Sequence, residues 1–190
     1  IIPKLEASYG MAFDAWNFDL FGGYQYYSIK NVTSLDNGDT NDISVDSYVV
    51  GVSGMFNFGP AFVGAQFQYG QNLGNARWSG GQGQTTATWD GDDDINDART
   101  YGGIFIAGMK VSDMLSFEGG IGYIVDDPKD ADNGFDEKDK AYNVYLMSTI
   151  ALAPGVYIVP EVGYQDFGNN PEDEDQGNQF YLGAKWQIDF

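Results

Sequence analysis

Nine segments of period-two alternation, connections that alternate between short and long, and aromatics gathered at strand ends predict an all-β fold. Together they specify a transmembrane antiparallel up-and-down β-barrel. Composition agrees. The 190 residues include 26 glycines, 13 tyrosines and 13 phenylalanines, with no cysteine and no histidine. The chain is too aromatic for acidic disorder and too rich in glycine and tyrosine for an ordinary soluble α/β domain. Without cysteine there is no disulfide framework and no thiolate metal site. A formal net charge of −19 argues against a nucleic-acid partner.

The strands follow in order. Leu5, Ala7, Tyr9, Met11 and Phe13 share one face, opposite Glu6, Ser8 and Gly10. Trp16, Phe18, Leu20, Tyr24 and Tyr26 alternate with Asn17, Asp19, Gly23 and Gln25. Tyr48, Val50, Val52, Gly54 and Phe56 form the next apolar row, then Val63, Ala65, Phe67 and Tyr69, interleaved with Gln66 and Gln68. The segment 99–109 is apolar on both faces, so its orientation is undetermined. Leu115, Phe117, Ile121, Tyr123 and Val125 come next, opposite Ser116, Glu118, Gly120 and Gly122. The stretch from Ala141 to Pro160 has no charge and is long enough for a membrane helix, but Pro154-Gly155 divides it into two strands. Pro160 predicts a bulge, because proline cannot donate to a ladder. The last strand sets Phe180, Leu182, Ala184, Trp186, Ile188 and Phe190 against Tyr181, Lys185, Gln187 and Asp189.

Short turns are expected at 14–15, 57–60, 110–113 and 153–155, and long polar connections at 31–46, 72–97, 126–139 and 168–177. This is the asymmetry of an outer-membrane barrel, with short periplasmic turns and long extracellular loops. Twenty of the 28 acidic residues lie in the four long connections, against Arg77, Lys129 and Lys138. Trp16 and Tyr26 stand about 25 Å apart along the membrane normal, at about 3.3 Å per residue and about 40° of tilt. That separation matches two aromatic girdles, assigned to Trp16, Phe18, Tyr24, Tyr26, Tyr48, Phe56, Tyr69 and Tyr164. A soluble β-sandwich is the competing reading, but its core has no reason to concentrate aromatics at strand ends.

The segment Gln179 to Phe190 resembles the terminal strand of Gram-negative outer-membrane barrels. The resemblance implies that Phe180, Leu182, Ala184, Trp186, Ile188 and Phe190 form the signal read by the barrel-assembly machinery. Val156 to Tyr164 is similar to a late porin strand, and the whole chain is similar to the general trimeric porins, including the homotrimeric porins of sulfate-reducing proteobacteria. The resemblance implies a bacterial outer-membrane location with extracellular long loops, contact with lipid and lipopolysaccharide, and a homotrimer. Nine strands cannot close antiparallel, so residues 1–190 are expected to form one partial barrel domain, the C-terminal half of a barrel of about 16 to 18 strands. The start at Ile1-Ile2-Pro3-Lys4, without signal-peptide features, fits that expectation. An eight-stranded barrel beginning at Trp16 is the alternative.

The inward rows carry the expected function. Glu6, Asp19, Gln25, Gln66, Gln68, Glu118, Asn143, Tyr145, Glu161, Tyr181, Lys185 and Gln187 are the candidate pore-lining residues. They suit a water-filled channel for passive diffusion of small hydrophilic solutes, and carboxylates on the wall favour cations. A non-conducting barrel that acts through its acidic loops is the alternative, and a sugar or peptide channel would need a longer aromatic ladder than Tyr145, Tyr157 and Tyr181. Catalytic outer-membrane barrels, by the same resemblance, use histidine, so no enzymatic activity and no catalytic residue are expected. No cofactor is expected either. The densest acidic loop, Asp90, Asp92, Asp93, Asp94 and Asp97, is a weak candidate for Ca²⁺ or Mg²⁺; its spacing is not that of an EF-hand, and a solvated acidic face is the simpler reading. The resemblance places the pore-constricting loop in the missing N-terminal half.

Overall fold

The computed structural model describes residues 2–78, 83–129, 138–170 and 172–189. Its strands are β1 (Ile2–Ala12), β2 (Trp16–Thr33), β3 (Thr40–Phe58), β4 (Ala61–Gln71), β5 (Thr88–Trp89), β6 (Ile95–Asn96), β7 (Ala98–Ser112), β8 (Leu115–Pro128), β9 (Asp139–Ala153), β10 (Val156–Asp166) and β11 (Asn178–Ile188). Nine of them form one antiparallel sheet in the order β1-β2-β3-β4-β7-β8-β9-β10-β11, and β5 pairs only with β6. Each main strand lies beside its sequence neighbour, as an up-and-down barrel wall requires. Among the described residues β1 and β11 each have one partner. They run in the same direction, so they do not supply an antiparallel seam to each other.

The register separates two faces. One carries the predicted apolar rows, and its side chains are open: Leu20, Val50, Phe67, Phe105, Ile121, Leu146, Phe180, Leu182 and Trp186 are all exposed. In water such a patch would drive association. Facing lipid, it is what holds the wall in place. Pairing also fixes the ambiguous strand: Gln66 sits opposite Ile104 and Gln68 opposite Gly102, so Thr100, Gly102, Ile104 and Ile106 point inward while Tyr101, Phe105 and Met109 point to lipid.

All eight girdle candidates lie on the lipid face. At the turn end Phe13 stacks on Trp16 at 4.2 Å and Trp16 on Phe18 at 5.9 Å; at the loop end Tyr48 meets Tyr69 and Tyr142 meets Tyr164, each at 6.1 Å. Phe180 to Ile188 of the terminal signal share this face, and Phe190 lies outside the described residues.

Three expectations need correction. The strands outrun the expected loops: β2 has 18 residues and β3 has 19, leaving only 34–39 between them. The turn expected at 110–113 falls at 113–114, because β7 continues to Ser112. Pro160 causes no bulge. It keeps register with Ala184 of β11, and only the pairing toward β9 lapses between Ile158 and Glu161, where the ring removes the N–H. The register shift on that side falls instead between Val156 and Tyr157. Gly59 (φ 67°) and Gly155 (φ 76°) complete two tight turns in the left-handed region.

Candidate functional site

The inward face is built on a pairing of glycine with a larger neighbour. Phe21 lies over Gly51, Phe62 over Gly108, Tyr145 over Gly120, Asn143 over Gly122 and Tyr181 over Gly163. In every case the two residues are directly paired across adjacent strands. The side chain folds sideways onto the wall, and a Cβ at the glycine would collide with it. The inward glycines therefore do not leave space unfilled; they let aromatic and amide groups lie flat against the wall.

All twelve candidate pore-lining residues sit on this inward face. Tyr145 donates to Glu118 at 2.8 Å and Tyr181 to Glu161 at 2.7 Å. Gln66, Gln68 and Asn143 line a cavity of about 230 Å³ together with Gln165. Asp19 packs against Gly10, Gln25 pairs with Ser47, Lys185 stands opposite Val159, and Gln187 donates to Asp189 at 3.0 Å. Glu6 accepts a hydrogen bond from Trp78 Nε1 at 2.5 Å.

That last bond belongs to a feature not expected from the sequence. Residues 72–78 and 83–87 fold back inside the wall instead of projecting outward. Leu73 and Ala76 are buried, with Leu73 against Gly70. Trp78 lies over Gly23, and Lys4 stands 5.1 Å above its ring while donating to Ala76 O at 3.2 Å. Asn75 donates to the Tyr27 hydroxyl at 2.9 Å. Farther along, Gly83 N donates to Asp126 Oδ2 at 2.9 Å, so the segment is held by β1 and β2 at one anchor and by β8 at the other. The described residues on both sides of 79–82 thus lie against the inward face, where the sequence led one to expect an outward loop. One sequence signal marks this segment. Between 72 and 89 the only charged residue is Arg77, whereas the other long connections are strongly acidic. Residues 79–82 lie outside the described residues.

The second anchor contains two buried carboxylates. Asp126 and Asp139 are cross-strand partners on β8 and β9, and Thr100 donates to Asp126 at 2.6 Å. Asp139 lies beyond the tyrosine level, above the lipid-facing band. Burial raises its pKa, the nearby Asp126 raises it further, and the hydrogen bond from Gln176 opposes them. A raised folded-state pKa means the folded loop end binds the proton more tightly. Its stability is fullest in acid and declines as pH rises from the ordinary aspartate value through the raised one. Hydrogen exchange at the Gly83 amide, corrected for intrinsic rate, is expected to be slower at a pH close to the ordinary aspartate pKa than at pH 7, and Asp139→Asn should remove the difference. A faster corrected rate in acid would contradict the assignment.

The acidic loop is held in part by its own amides, while Asp92 Oδ1 is buried without a hydrogen-bond partner. Asp90 Oδ1 accepts from the amides of Asp92 and Asp94, Asp94 caps Ile95, and Asp97 accepts from Asn72. Among the described residues no three carboxylate, histidine or cysteine side chains are gathered as a metal site.

No protein-family model matches the chain, and no curated protein matches it in sequence. Solved structures do. The outer-membrane expressed OmpT of Vibrio cholerae is 18% identical with a TM-score of 0.60, over 97% of this chain and 56% of that one. The in-vitro folded trimer form of OmpT gives 18% and 0.60, over 96% and 54%. A loop L8 deletion mutant of OmpT gives 18% and 0.58, over 94% and 51%. This chain spans about half the length of the solved chains it matches. The match also corrects the expectation that the chain is not an enzyme: its neighbours are named OmpT, and a shared barrel at 18% identity shows the fold alone, which does not exclude catalysis. The fold, an antiparallel wall with a lipid-facing apolar side and an inward polar side, is that of bacterial outer-membrane β-barrels.

Proposed function

We propose that this chain is one wall of a water-filled channel in the bacterial outer membrane, through which small hydrophilic solutes diffuse with a preference for cations. The observation that carries the reading is the inward face itself. Polar side chains laid flat over glycine make a smooth hydrated surface, backed by an apolar face suited to lipid. Glu6, Asp19, Glu118 and Glu161 outnumber the inward bases on the wall, and the acidic loops surround the mouth. In a salt gradient across a planar bilayer, the reversal potential is expected to carry the sign of cation selectivity, and an anion-selective potential would defeat the charge argument.

The remaining strands of the barrel belong, in this reading, to a longer chain. The single-partner margins β1 and β11, and the match to about half of longer barrels, support closure at about 16 to 18 strands. The native protein should then be much heavier than 20.8 kDa by intact mass. Assembly as a homotrimer is part of the proposal, supported by the trimer form among the matched structures. Insertion by the barrel-assembly machinery, with lipopolysaccharide and lipid around the apolar face, completes it.

The in-folded residues 72–78 and 83–87 favour a second reading, in which the lumen is closed and the acidic loops are the working surface. Regular single-channel steps from the native protein support the channel; their absence supports the closed barrel.

A further inference from the structure

The hairpins β8–β9 and β10–β11 carry one inward module twice. β8 contributes Glu118-Gly119-Gly120 and β10 contributes Glu161-Val162-Gly163. Facing them, β9 reads Asn143-Val144-Tyr145-Leu146 and β11 reads Gln179-Phe180-Tyr181-Leu182. Pairing sets Tyr145 opposite Gly120 and Tyr181 opposite Gly163. Each ring lies across its glycine, and each hydroxyl donates to Oε1 of the glutamate two residues before that glycine. The modules also share a level on the wall. Glu118 and Glu161 both pair with Met147, and Gly163 pairs with Tyr145. Equivalent atoms are therefore two strand spacings apart, about 10 Å.

The chemistry of each module is specific. Tyrosine engages one carboxylate oxygen. No lysine or arginine forms an ion pair with Glu118 or Glu161 among the described residues. A carboxylate beside the face of an aromatic ring is a setting for an ammonium group, which donates a charge-assisted hydrogen bond to the one and gains cation–π attraction from the other. A neutral sugar would stack on tyrosine but gain little from two carboxylates without counter-charges, and an anion would be repelled. We propose that the β8–β11 wall binds linear organic dications, one ammonium group at each Glu–Tyr module with the alkyl chain lying between them. This rests on the channel reading and names the solute class its wall selects.

The test uses the intact native protein in planar bilayers, with hexamethylenediamine and hexylamine as probes. The diamine is expected to interrupt the current at about tenfold lower concentration, because its second group binds at high effective concentration. Glu118→Gln with Glu161→Gln should bring the two amines close to equal. Glu161→Gln alone should lose part of the preference if the double variant does not assemble. Tyr145→Phe with Tyr181→Phe, which keeps the rings, should retain it. Equal potency in the native protein would overturn the proposal. So would a loss of preference in Asp19→Asn as large as in the glutamate variants, since diffuse negative charge would then account for it. Absence of steps in plain salt defeats the channel reading separately. Titration calorimetry on the detergent-solubilised protein reads diamine preference without any current, and no preference there overturns the site.

Discussion

Excision of residues 75–84, with Gly74 joined directly to Thr85, is expected to raise single-channel conductance about two- to threefold. The cut is geometrically mild, because Gly74 N already donates to Thr85 O at 2.9 Å. It removes Trp78 from Gly23, Asn75 from Tyr27 and Gly83 from Asp126, and so these described contacts with β2 and β8. It also removes Arg77, so cation selectivity should rise together with conductance. Should the native protein prove silent, steps that appear only after excision would identify the segment as the closure. Unchanged conductance in a correctly inserted variant would show that it does not limit flow.

Asn72→Ala is expected to release that segment while leaving the wall standing. Asn72 is fully buried, and its amide group donates to Asp46 O at 2.9 Å and to Asp97 Oδ1 at 2.7 Å. Its side-chain oxygen accepts from Ala98 N at 2.9 Å. The residue also adopts φ 52°, which asparagine tolerates better than alanine. Three lost hydrogen bonds, with their partners left buried, amount to about 3 kcal/mol, or about a 100-fold larger population of the opened segment. Trypsin cleavage after Arg77 should accelerate accordingly. A cleavage rate equal to that of the native protein would mean that the Trp78 anchor holds the segment unaided.

The wall was legible in the sequence because its information is local. Alternation reports which side chains share a face of the sheet, and the ladder register keeps the aromatic candidates on one face and the polar candidates on the other. Residues 99–109 were not legible alone, since Ile104 and Phe105 are both apolar; Gln66, across the ladder from Ile104, decides the matter. The extension of β3 was hidden for another reason. Above the tyrosine level the polarity inverts: Ile43 and Val45 point inward and are buried near the in-folded segment, while Asp42, Ser44 and Asp46 face water. Read with the membrane pattern, that stretch looks like a loop. The in-folded segment was illegible because its contacts are non-local, with Trp78 meeting Glu6 across 72 residues. Only its lack of acidic residues set it apart.

The glycine pairings bear on how the sheet finds its alignment. A slip of one residue between neighbouring strands turns polar side chains toward lipid and is rejected by solvation. A slip of two preserves the faces, so polarity does not detect it. It would, however, set Tyr181 against Glu161 or Gln165 instead of Gly163, where a side chain already fills the space. The same holds for Phe62 at Gly108, whose same-face neighbours are Ile106 and Lys110, and for Tyr145 when the slip carries it from Gly120 to Glu118. The pairs thus work as keys cut at intervals along the wall, narrowing the alignments open to each hairpin as it enters the membrane.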